Sequence, residues 1–133
     1  MNNCPCGSGI NYENCCGIFH SGKQHAHTAE QLMRSRYSAF ALKNASYILQ
    51  TEKLKVANSS FLLEEQLRET TWIKLELLST RGGLETDNSG EVQFRATYFN
   101  SGRMNQMTEH SLFKRINGKW MYTGTKAPAD FSS

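Results

Sequence analysis

Cys4 and Cys6 are separated by one residue, Cys15 and Cys16 by none, and eight residues lie between the pairs. Two close thiol pairs joined by a short loop match the demand of a zinc ion, which takes four soft ligands in a tetrahedron at about 2.3 Å. Disulfides fit less well. Adjacent residues have Cα atoms about 3.8 Å apart, below the roughly 4.4 to 6.8 Å of ordinary bridges, so a Cys15 to Cys16 bond would be strained. Crosswise bridges remain open on geometry, but a reducing cytosol disfavours them. Four thiolates leave such a centre negative, and Gly7-Ser8-Gly9 lets the backbone turn N–H donors toward the sulfurs. Cys4, Cys6, Cys15 and Cys16 are therefore the expected zinc ligands, with His20 as the alternative that would make a Cys₃His site.

A second candidate centres on Glu109, within Thr108-Glu109-His110-Ser111. A carboxylate in a partly apolar cavity can act as a general base. The plainer expectation is an ion pair with Arg34 or Arg36 on the first long helix, which needs no substrate. The only aspartates, Asp87 and Asp130, fall in turn and tail segments, and His110 has no evident acidic orienter. The aromatics Tyr37, Phe40, Trp72, Phe94, Tyr98, Phe113 and Trp120 recur at helix or strand spacing and read as core.

The elements that must position these groups follow from periodicity. Thr28 and Gln31 form a capping box, and Met33, Tyr37, Phe40 and Ala41 then share one face of a helix over about 29–42. A short helix follows at Tyr47-Ile48-Leu49, and Ser59 or Ser60 can cap a third. After Thr70 the period becomes two. Trp72 to Thr80 sets Ile73, Leu75 and Leu77 against Lys74 and Glu76, and Val92, Phe94, Ala96 and Tyr98 alternate with polar residues. Met104 to Ile116 is a third strand, with either the Met107, Glu109, Ser111 face or the Gln106, Thr108, His110 face turned inward. Asn117-Gly118 signals a type I′ hairpin into Trp120–Thr125. Helices followed by an antiparallel meander imply an α+β domain with the helices on one face of a four-stranded sheet.

The whole chain has 133 residues, 38% hydrophobic, which suffices for one core with a small appendage. Its formal charge of +3 is mild and dispersed, so no nucleic-acid partner is expected. No apolar stretch approaches the roughly 20 residues of a membrane span, and no secretory signal precedes Cys4. A cytoplasmic protein is expected.

Cys4-Pro5-Cys6-Gly7-Ser8-Gly9, Tyr12 and Cys15-Cys16-Gly17 resemble the SEC-C motif found at the C-terminus of the preprotein translocase SecA. Thr28-Ala29-Glu30-Gln31-Leu32-Met33-Arg34-Ser35-Arg36-Tyr37-Ser38-Ala39-Phe40 resembles the YchJ family of uncharacterised bacterial proteins, where this motif precedes a compact α+β domain. The resemblance implies zinc on the four cysteines and a cystatin-like, nuclear-transport-factor-two-like fold whose curved sheet leaves a conical pocket. Arg34, Arg36, Tyr37, Glu109 and Ser111 are the residues placed there. Two departures stand out: Ile10-Asn11 replaces the lysines of SecA's copy, so docking to the same acidic chaperone is not expected, and Thr51-Glu52-Lys53-Leu54 replaces the family's Trp-His-Pro stretch.

The expected organisation is a zinc knuckle over 1–22, a linker over 23–27 and an α+β domain over 28–133. The expected role is a binding or adaptor module using the knuckle to meet a protein partner, with a small-molecule binder or enzyme using the pocket as the rival.

Overall fold

A computed structural model describes residues 2–53 and 59–126. After a 3-10 turn at Tyr12–Asn14 come α1 (Cys16–His20), α2 (Ala29–Ala41), α3 (Ala45–Gln50) and α4 (Ser59–Glu69). The strands are β1 (Thr70–Gly82), β2 (Ser89–Asn100), β3 (Arg103–Ile116) and β4 (Lys119–Thr125). Among the described residues they form one antiparallel sheet in the order β1-β2-β3-β4, the meander expected from the turn signals. The cap expected on Ser59 or Ser60 and the tail residue Asp130 lie outside the described side chains.

Local chemistry explains the boundaries. The Thr28 side chain accepts from the Gln31 amide at 3.1 Å, and the Gln31 side chain reaches back to the His27 amide at 2.7 Å, one residue beyond the standard box. Asn117 and Gly118 both take positive φ, 53° and 83°, as a type I′ turn requires.

The core lies between α2 and the concave face of the sheet, where Leu32, Met33 and Tyr37 meet Val92, Phe94, Ala96, Phe113 and Trp120. Burial of this apolar surface supplies the main stabilising term. A second cluster, Ala39, Tyr47, Ile48 and Leu67, holds α3 and α4 against the other side of α2. Every residue from Ser35 to Ala39 is consequently buried.

The strand register is irregular at Trp72/Lys74 and Leu77/Ser79 on β1 and at Leu112/Phe113 on β3, and the first of these alters the faces expected. The β1–β2 register shifts between Trp72 and Lys74, so Trp72, Leu75 and Leu77 pack on the core while Ile73 stands 50% exposed. A bulge adds one residue and reverses the faces beyond it. Ile73 therefore does not share the inward face expected for it. On β3 the inward face is Met107, Glu109, Ser111 and Phe113, with Ser111 and Phe113 fully buried.

Candidate metal centre and the neighbouring cavity

The N-terminal knuckle is a tight hairpin. Cys4 N–H donates to the Ile10 carbonyl at 2.8 Å and Tyr12 N–H to the Asn2 carbonyl at 2.9 Å, while Gly7 N–H closes a turn on the Cys4 carbonyl at 3.1 Å. These bonds bring Cys4 and Cys6 over the start of α1, which carries Cys16. Gly17 is obligatory for that approach, because a Cβ there would stand 2.7 Å from the Tyr12 carbonyl oxygen.

The sulfurs of Cys4, Cys6, Cys15 and Cys16 all lie within 4.8 Å of one another, and three of the four residues are buried. Ligands at about 2.3 Å in a tetrahedron stand roughly 3.8 Å apart, and the Cys6 and Cys15 sulfurs are 3.8 Å apart. The group could hold a metal ion, and the donor set fits one. Hydrogen bonds among the sulfurs drive Cys4 far down from the ordinary thiol range and its donor Cys16 far up. Four thiols this close cannot all ionise without a cation among them. The hydroxyls of Ser8 and Ser38 approach the Cys15 and Cys4 sulfurs, each at 3.3 Å.

His20 is not part of this group. Its Nδ1 faces the Tyr12 hydroxyl at 2.6 Å and its Nε2 the Ser35 carbonyl at 2.8 Å, so Nε2 donates, Nδ1 accepts, and neither nitrogen is left to ligate. Burial also lowers its pKa from the usual 6.5. The side chain instead anchors the knuckle to α2. Arg34 shares that task, donating to the Cys6 carbonyl at 2.9 Å and to Glu30 at 3.1 Å.

The expected pairing of Glu109 with Arg34 or Arg36 does not occur. Arg36, only 4% exposed, donates to the Ile48 carbonyl at 2.9 Å, to Thr51 Oγ1 at 2.7 Å and to Glu52 at 2.9 Å. The chain after α3 runs beside β4, with Tyr122 N–H on the Thr51 carbonyl and Lys53 N–H on the Tyr122 carbonyl, and so delivers Glu52 to the guanidinium. Glu109 Oε2 instead accepts from the Ser111 hydroxyl at 2.7 Å and the Tyr122 hydroxyl at 3.1 Å. Arg36, Tyr37, Glu109 and Ser111 do line a common cavity of ≈ 220 Å³; Arg34 does not. Thr51 and Glu52 were missed in sequence, because a helix end and a loop residue give no periodic signal. His110, expected to lack an acidic partner, has one: its Nε2 lies 2.6 Å from Glu91 on the adjacent strand.

A family model for the YchJ middle NTF2-like domain matches residues 28–125, and one for the SEC-C motif matches residues 2–18. The chain belongs to the YchJ family. Relatives carry the family's systematic name: a UPF0225 protein of Streptomyces coelicolor is 43% identical over 119 residues, 90% of each chain. Another, from Haemophilus influenzae, is 38% identical over 124 residues, 92% of this chain and 76% of the relative. The solution structure of a SEC-C motif-containing protein from Rhodopseudomonas palustris superposes with a TM-score of 0.81 at 30% identity, covering 96% of this chain and 98% of that one. A crystal structure of such a protein from Psychrobacter arcticus gives 0.75 at 27% identity, covering 100% and 85%. The NTF2-like fold of the YchJ family is thus the fold of this chain, and no helix among its described residues is long and apolar enough to cross a membrane.

Proposed function

We propose that the cysteine cluster is a structural zinc centre and that the protein is a cytoplasmic binding or adaptor module presenting its knuckle to a protein partner. The observation that carries the metal assignment is the convergence of four sulfurs within 4.8 Å on a backbone already braced by hydrogen bonds. Thiolate chemistry favours zinc over harder cations. Free thiols in this number suit a reducing compartment. The adaptor role is supported by an apolar side chain left open on the knuckle, Ile10, which stands 49% exposed.

The centre is structural rather than hydrolytic in this reading, because four protein ligands leave no position for water or substrate. Elemental analysis of freshly reduced protein tests it. Close to one zinc per chain is expected, abolished in Cys16→Ser; a content near zero overturns the assignment.

A further inference from the structure

The cavity between α2 and the concave sheet face has a composition the adaptor role does not use. Its walls include the rings of Tyr37, Phe40, Trp72, Phe94 and Tyr122, and one carboxylate, Glu109, enters from β3. Ser111 and Tyr122 both donate to Oε2 and fix the carboxylate's orientation, and no described residue hydrogen-bonds Oε1. Burial and the neighbouring Glu109 hold the Tyr122 phenol well above its ordinary pKa, so it remains a donor.

The other charged groups facing the cavity are Arg36 and Glu52, which are bonded to each other at 2.9 Å. Arg36 also lies 4.5 Å over the Tyr122 ring, with its remaining bonds spent on Ile48 and Thr51. The charges of Arg36 and Glu52 offset each other, and Glu109 adds a negative charge on the β3 side of the cavity.

We propose that this cavity binds a small organic ammonium ion, with Glu109 as its counter-ion and the surrounding rings as its wall. Aromatic faces attract cations most strongly where water is excluded. A fixed carboxylate supplies the charge-assisted hydrogen bond that tells an ammonium from a neutral isostere. A volume of ≈ 220 Å³ is about seven times the share of one liquid water and suits a single-ring or short-chain amine.

The test titrates the full chain, near neutral pH, with 2-phenylethylammonium, 2-phenylethanol and phenylacetate, which share a body and differ in charge. Calorimetry gives the affinities, and the ring resonances of Phe94 and Tyr122, which line this cavity, report its occupancy. The ammonium should bind about tenfold or more tightly than the alcohol, with no binding of the carboxylate. Glu109→Gln should erase that preference while an unchanged indole spectrum of the free variant shows that the fold survives. Equal binding of ammonium and alcohol, preference for the carboxylate, no binding of any probe, or a preference that persists in Glu109→Gln would each overturn the proposal. Zinc content is measured separately, so failure of the metal assignment would not be mistaken for failure here.

Discussion

The knuckle and the cavity lie on opposite sides of α2 and are built by different means. In the knuckle, chemistry precedes packing: four sulfurs are gathered by a short hairpin, and among the described residues Tyr12 and Leu75 are the apolar side chains packed on them. In the cavity, packing precedes chemistry. A curved sheet and a long helix create the space, and isolated polar groups are held in it by bonds from distant segments. The first kind of site is written in residue spacing, and the second arises only when the sheet has closed.

The largest expected effect sets the two apart. Removing the metal, or replacing Cys16 by Ser, should unfold residues 2–22 while the sheet persists, because structural zinc supplies on the order of 10 kcal/mol or more to a small motif and the main core has its own apolar burial. Amide spectra before and after chelation would show collapse of the knuckle resonances alone. Loss of the strand resonances as well would mean that the domain cannot stand without its appendage, and the contrast would fail.

Next is the ion pair that the cavity depends on. Glu52→Ala leaves the buried Arg36 guanidinium, among the described residues, with the neutral acceptors Ile48 and Thr51, a loss of about 3 kcal/mol, at the low end for breaking a buried pair. Chemical denaturation measures it. Metal content should be unchanged in that variant, since Glu52 touches nothing in the knuckle's described contacts.

A smaller effect concerns pH. His20 has a folded pKa below 6.5 because burial disfavours its charged form. Below pH 6.5 the unfolded chain takes up a proton that the folded chain refuses, so stability falls as pH drops from 6.5 through the folded value. His20→Gln should flatten that part of a melting-temperature profile. A slope unchanged by the substitution would remove His20 from the anchoring role.

The smallest effect is expected at Glu109. Without a cationic partner among the described residues, Glu109→Gln keeps an oxygen for Ser111 and Tyr122 and should change stability by less than about 1 kcal/mol. A drop of several kcal/mol would show that the carboxylate is structural and would blur the distinction between a cavity group that the fold does not need and a knuckle that collapses without its ligands.

These contrasts also explain what could be seen in the sequence. The cysteine spacing, the Thr28 and Gln31 cap, the period-two strands and the Asn117-Gly118 hairpin are local signals, and each appears where expected. The partner of Arg36 was not legible, since Glu52 reaches it through a loop whose path is set by backbone bonds to β4. Ile73 was misplaced because a bulge depends on cross-strand register rather than on composition. Ser35 and Ser38 give no periodic signal that would set them apart from other helix residues. Ser35 Oγ meets the Tyr47 hydroxyl of α3 at 2.7 Å, and Ser38 Oγ meets the Cys4 sulfur at 3.3 Å, contacts that form only when α3 and the knuckle dock on α2.

Four successive residues of α2 answer to four different neighbours: Arg34 to the Cys6 carbonyl, Ser35 to Tyr47, Arg36 to Glu52 and Tyr37 to the sheet core. Each helical step turns by about 100°, so this order of side chains works as a combination lock. Inserting or deleting one residue before Arg34 would present every one of them to the wrong neighbour at once, whereas the exposed stretch at 21–25 can change length with little consequence. Variation in length between the knuckle and the domain should therefore be confined to that stretch and stop at Thr28.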